Sequence, residues 1–110
     1  MENSEIEKIA RTESLFREVN ERIAEAAARL DADETNFVCE CADPTCTHRI
    51  GATLDQYERV REDGDTFLLA AGHEDARVEA VVTVVDEHAV VEKRHPLVRR
   101  LALAFDPRAN

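Results

Sequence analysis

The run Phe37-Val-Cys-Glu-Cys-Ala-Asp-Pro-Thr-Cys-Thr-His48 places Cys39, Cys41 and Cys46 within eight residues, and the 110-residue chain has no other cysteine. Three cysteines cannot all pair as disulfides within one molecule. Thiolates this close repel one another unless a cation sits among them. Zn²⁺ is the usual cation, and it takes four N or S ligands in a tetrahedron. Three ligands are therefore in view, and a histidine is the expected fourth. The C-x-C spacing is tighter than the C-x₂₋₄-C of familiar zinc motifs, but a bend at Glu40 can bring both sulfurs to one side. Asp43-Pro44 supplies a turn before Cys46. Two other readings share these residues: three reduced cysteines that merely pack, and a thiol redox switch.

Outward from this loop, taken as residues 40–49, the pattern predicts an α+β domain. On the N-terminal side, residues 36–39 form a short strand feeding the first ligand, and residues 31–36 a linker. Residues 4–31 lack Gly and Pro and are rich in Glu, Ala, Arg and Leu, the composition of one long helix. Ser4 is its expected cap. Ile9, Phe16, Ile23 and Leu30 recur every seven residues, and Ile6, Val19, Ala26 and Ala27 widen that line into a stripe. The opposite face carries Arg11, Glu18, Arg22, Glu25 and Arg29, charges of mixed sign able to pair along a solvated surface. A helix of 28 residues runs about 42 Å, long for so small a domain. It therefore reads either as packed on its own domain or as a surface for a partner or a second copy.

On the C-terminal side, Thr53 caps a short helix over residues 54–61, ended by Asp63-Gly64-Asp65 with Gly64 near the left-handed terminating position. Residues 66–71 form a buried strand and residues 72–75 a turn. The β-branched residues 77–85 pair with 89–92 across Asp86-Glu87-His88 as a hairpin, completing a small, mostly antiparallel sheet. Pro96 breaks the chain. Residues 97–105 make a last helical turn or two, and residues 106–110 are expected to fray. The whole reads as a single domain: long helix 4–31, zinc-binding core 36–95, tail 96–110.

Composition narrows the function classes. Apolar residues make up 44%, enough for a core, but aromatics only 5%, so Val, Leu, Ile and Ala must fill it and a metal staple would help. The net charge of −10 repels phosphate backbones, so nucleic acid is not an expected partner. Only Lys8 and Lys93 are lysines among the basic residues, a bias that points to a high-GC, bacterial coding sequence. Residues 1–14 carry acids and no apolar core of a signal peptide, and no run approaches the ~20 apolar residues of a membrane helix. A cytoplasmic protein with reduced thiols is expected. The tail is locally basic through Lys93, Arg94, Arg99, Arg100 and Arg108. It either folds back on its acidic parent or contacts an acidic partner.

Spacing leaves the fourth ligand open. His48 lies two residues past Cys46, whereas His73 sits in a Gly-His-Glu turn where Gly72 allows close approach, with Glu74 or Asp75 placed to orient the ring. His88 and His95 receive no role.

The motif order resembles a family of small uncharacterised proteins of high-GC bacteria. The residues that carry the resemblance are Phe16-Arg-Glu-Val-Asn-Glu-Arg-Ile23, Phe37-Val-Cys-Glu-Cys41, Cys46, Tyr57 with Val60-Arg61, Phe67 before Gly72-His-Glu74, Val90-Val-Glu-Lys93 and Asp106-Pro-Arg108. The short helix departs from the family's L-T then E-Y, having Thr53-Leu54 and Gln56-Tyr57. The resemblance implies a shared fold and a site including His73, with His48 the alternative. It implies no activity.

No phosphate-binding glycine loop and no Ser/His/Asp signature is present. The H-x-E and P-C-x-x-C segments of zinc deaminases are missing. The expected function is a non-catalytic zinc-binding interaction or regulatory module, with no small-molecule substrate evident. A thiol or zinc redox sensor and a small metalloenzyme, with Glu40 or Glu74 as base, are the alternatives.

Overall fold

The computed structural model describes residues 2–108. Helix α1 (Asn3–Leu30) is followed by strands β1 (Thr35–Val38) and β2 (Arg49–Ala52), helix α2 (Leu54–Val60), strands β3 (Thr66–Ala70), β4 (Glu79–Val85) and β5 (His88–Lys93), and helix α3 (Pro96–Ala104). The fold is α+β, as the pattern predicts. The single sheet expected is two antiparallel sheets: a β1-β2 ribbon and a three-stranded sheet of order β3-β5-β4. The ribbon's second strand, Arg-Ile-Gly-Ala, was not anticipated, because four residues including a glycine carry no strand signal of their own. It pairs in register with β1, Phe37 opposite Ile50.

Helix α1 starts one residue earlier than expected, at Asn3 after Glu2, and Ser4 lies inside it rather than capping it. It ends where Asp31 enters the left-handed region at φ 52° and the Ala32 N–H reaches back to the Ala27 carbonyl at 3.0 Å. Helix α2 carries a reciprocal cap: the Gln56 N–H donates to Thr53 Oγ1 at 3.1 Å and the Thr53 N–H to Gln56 Oε1 at 2.8 Å. It ends at Arg61 in ordinary backbone, not at a left-handed Gly64. Position 64 needs glycine for space, since a Cβ there would come within 2.6 Å of Asp106 Oδ2. His88 opens β5 instead of lying in the turn, which Asp86 makes at φ 53°. His95 caps α3, its Nδ1 accepting from the Leu97 N–H at 3.2 Å.

Residues of α1 are buried against the rest of the chain from Ile6 to Ala27, nearly its whole length, so the helix does not overhang its own domain. It packs on α3, β1 and α2. Its buried face lies one step round from the predicted stripe. Leu30 is 79% exposed and Val19 44%. The buried residues are Ile6, Ile9, Ala10, Glu13, Ser14, Arg17, Asn20, Ala24 and Ala27, so Ile6, Ile9 and Ala27 of the stripe are buried as expected. The polar side chains of Glu13, Arg17 and Asn20 occupy the centre of this face, which is why the apolar pattern missed that part of it.

Each of the three has partners far along the chain. Arg17 donates to the carbonyls of Gly64 and Ala102, both at 2.7 Å, with its guanidinium 4.4 Å from the Phe67 ring centroid. Asn20 donates to the Val38 carbonyl and accepts from its N–H, each at 2.8 Å. Glu13 lies beside Lys93, whose Nζ is 2.8 Å from Glu13 Oε2, an ionic contact without hydrogen-bond alignment. Lys93 also pairs with Glu79 and sits 4.3 Å from the Phe67 ring centroid. All three side chains of this Glu13–Lys93–Glu79 cluster are at most 1% exposed. Burial is the main cause that raises Glu13 to about 8; Glu79 adds to it and Lys93 opposes it.

The apolar core surrounds these groups. Phe37 stacks on Tyr57 with ring centroids 4.6 Å apart, and β3 is buried at all five positions. The tail does not fray over residues 106–108. Asp106 pairs with buried Arg61, and Arg108 bonds Glu21 at 2.8 Å and Glu58 at 2.7 Å. The basic segment thus folds back on its acidic parent. Ala109 and Asn110, also expected to fray, lie outside the described residues. Among the described residues, no helix is long and apolar enough to cross a membrane.

Candidate metal centre

Strand β1 delivers Cys39 to the rim of the three-stranded sheet. The Cys39 N–H donates to the His48 carbonyl at 3.3 Å, continuing the ribbon, and the Glu40 N–H donates to the Leu68 carbonyl at 2.8 Å, joining the ribbon to β3. The chain then turns at Asp43-Pro44. Asp43 Oδ1 accepts from the Thr45 N–H at 2.9 Å, and the Asp43 carbonyl accepts from the Cys46 N–H at 3.1 Å. Beyond β3, the His73 N–H closes a turn on the Ala70 carbonyl at 3.1 Å. Gly72 takes φ 89° there, a conformation that an L side chain resists.

These three segments bring Cys39, Cys41, Cys46 and His73 together, with one ligand atom of each lying within 4.8 Å of the others. His73 Nδ1 is 3.6 Å from Cys39 Sγ and 3.7 Å from Cys46 Sγ. A tetrahedral ion with Zn–S of about 2.3 Å and Zn–N of about 2.0–2.1 Å separates S from N by about 3.6 Å. The donor set and its spacing fit a metal ion.

Cys39 and Cys41 are buried, Cys46 is partly exposed and His73 exposed, so the cluster has a closed inner face and an open outer one. The Ala70 N–H donates to Cys39 Sγ at 3.2 Å, a contact that favours thiolate. Among the protein groups alone, the hydrogen bond from Cys39 holds Cys41 down to about 5, and the same bond, with burial, pushes Cys39 up. Burial also raises Cys46.

His48 lies outside this group of four. Its ring sits edge-on to His73, centroids 5.2 Å apart, on the exposed side. Glu74 and Asp75 do not take the ring-orienting role expected of them. Glu74 Oε1 accepts from the Gly72 N–H at 3.2 Å, and Asp75 pairs with Arg77. His88 is buried, with its pKa lowered by that burial.

Glu40, expected as a possible base beside the metal, points away from the sulfurs into the core and is 0% exposed. Its Oε1 accepts from the Leu68 N–H at 2.9 Å. Its Oε2 accepts from Asn20 Nδ2 and from the Tyr57 hydroxyl, both at 2.8 Å. Burial raises its pKa against these three donors. Asn20 therefore ties α1 to both sides of the Cys39 peptide, through Val38 and Glu40. Sequence reasoning gave Asn20 and Tyr57 no role at Glu40. The available signal was the acid between two cysteines: neighbouring extended residues point to opposite sides, so two inward sulfurs send the intervening side chain the other way.

No protein family, curated protein or solved structure matches this chain.

Proposed function

We propose that the protein is a small, non-catalytic zinc-binding module in which Zn²⁺, held by Cys39, Cys41, Cys46 and His73, fastens the Cys loop to the β3 turn. The observation that carries this reading is the pair of S–N distances, 3.6 and 3.7 Å, which match the ligand-to-ligand separation expected around a tetrahedral zinc. Four protein ligands fill the shell and leave no position for substrate, and the carboxylate nearest in sequence, Glu40, is spent on three core donors. Both features speak for a structural site. The motif resemblance to the small bacterial proteins agrees with His73 as fourth ligand. With the basic tail engaged in its own ion pairs, the outer face of α1 is the contact surface of the module. Metal analysis of protein purified under reducing conditions tests the reading: one zinc per chain is expected, lost in Cys41→Ser. A metal-free chain with an unchanged melting temperature overturns it.

The open outer face favours a second reading, a zinc-thiolate redox sensor. Peroxide would convert the accessible Cys46 thiolate to sulfenic acid, with hydroxide released. Attack by the Cys41 thiolate on the sulfenic sulfur would then expel a second hydroxide, giving a disulfide and freeing the metal. Zinc release by dilute peroxide, reversed by a thiol reductant, supports this reading, and inertness excludes it.

A further inference from the structure

Five residues of α1, Glu7, Arg11, Leu15, Glu18 and Arg22, are spaced by four, four, three and four, and all are exposed. They form one helix face, turned away from the domain. Of these, Arg11, Glu18 and Arg22 were expected to pair along the helix. They do not: among the described residues, none of Glu7, Arg11, Glu18 and Arg22 has an ion-pair partner. In their midst Leu15 is 64% exposed. Beside it opens a cleft of about 420 Å³ lined by Arg11, Ser14, Leu15, Glu18 and Phe105, with Arg11 5.5 Å from the Phe105 ring centroid. Ser14 is only 8% exposed, and its hydroxyl has no hydrogen-bond partner among the described residues. Leu103, at the end of α3, is 38% exposed.

We propose that this face binds a second copy of the chain, with the two α1 helices antiparallel about a two-fold axis passing between Ser14 and Leu15. The charge order selects this arrangement. About that axis Arg11 faces Glu18 of the second copy and Glu7 faces its Arg22, each contact occurring twice. A parallel, in-register pairing would set every charge against its like. The four ion pairs flank an apolar centre in which each Leu15 enters the cleft beside the other's Leu15 and Phe105. Such an interface is isologous and closed, so it stops at a dimer. The proposal specifies the partner in the interaction-module reading and does not depend on the metal.

Solution mass of the zinc-loaded protein over a range of concentrations tests it. The expected result is a monomer–dimer equilibrium that weakens as salt rises. Arg11→Glu and Glu18→Arg should each weaken association roughly tenfold or more, because each puts two like-charge pairs in the interface. The two single variants mixed in equal amounts should associate again, since every contact across the mixed pair is then of opposite sign. The double variant Arg11→Glu/Glu18→Arg should dimerise like the native chain. Circular dichroism and zinc content confirm that each variant is folded. A native chain that stays monomeric throughout, single variants that dimerise undiminished, or a mixture that fails to associate would each overturn the proposal. A zinc-loaded monomer removes this inference alone. A metal-free dimer leaves it standing and removes the zinc reading.

Discussion

Two polar clusters brace this molecule, and they solve the same problem in opposite ways. The sulfur cluster at Cys39, Cys41, Cys46 and His73 has a donor set that calls for a cation from outside. The cluster of Glu13, Lys93 and Glu79 carries its own cation. Both join segments distant in the chain. The first sits at the rim, with one face open; the second lies in the core, every side chain at most 1% exposed. An imported ion adds its binding free energy to folding. A built-in ion pair must first be desolvated, which cancels most of its attraction. The sulfur site should therefore dominate stability, and the carboxylate–lysine site should chiefly penalise its own disruption.

The largest test of that difference is Cys41→Ser. It should cost upwards of about 5 kcal/mol in zinc-loaded protein, read by urea unfolding. The variant should resemble the native chain treated with a chelator. Lys93→Met should come next, at about 3–5 kcal/mol, because it leaves buried Glu79 without its counter-charge and Glu13 without its neighbour. Replacing Glu13, Lys93 and Glu79 together with apolar residues of similar size should recover most of that loss. A triple variant as damaged as the single one would mean that the cluster stabilises outright.

The clusters should also respond to pH with opposite signs. Glu13 is raised from 4.5 to about 8, so over that window the folded chain holds a proton that the unfolded chain has released. Its contribution therefore falls as pH rises from about 4.5 to about 8. Metal binding instead strengthens as pH rises, since thiols and imidazole must lose protons to ligate. Compared with Glu13→Gln in urea melts across this range, the native chain should lose relative stability towards alkaline pH. A constant difference would contradict the assignment.

Smaller effects mark the periphery. Tyr57→Phe removes one donor to Glu40 and should cost about 1–2 kcal/mol. Arg108→Ala breaks a part-exposed latch to Glu21 and Glu58 and should cost at most about 1 kcal/mol.

Legibility differed between the clusters for a physical reason. Cysteines crowded into one loop announce a common ligand locally, and the Asp43-Pro44 turn shows how the chain returns to it. Glu13, Lys93 and Glu79 look like ordinary surface charges, because nothing near any of them in sequence reveals its counter-charge. The same blindness displaced the helix stripe. Counting apolar residues found Ile6, Ile9 and Ala27, which are buried, but also selected Val19 and Leu30, which are exposed, and missed Glu13, Arg17 and Asn20. Strand β2 escaped notice because it is only four residues long and includes a glycine; its pairing with β1 and the burial of Ile50 and Ala52 become visible only in the fold.

By itself the sequence determined the long helix, the capped short helix, the β4-β5 hairpin and the sulfur-bearing loop. Each rests on periodicity, capping or turn chemistry among residues a few positions apart. Spacing left His73 and His48 open and the motif resemblance favoured His73; the tertiary structure places His73, not the nearer His48, beside the three cysteines. It also decided which side of α1 faces inward and where the buried charges find their partners. Those outcomes depend on contacts across some 18 to 80 positions, such as Asn20 with Val38 and Glu13 with Lys93. Local patterns carry no record of such contacts, because what makes them favourable is removal from water together with the partner.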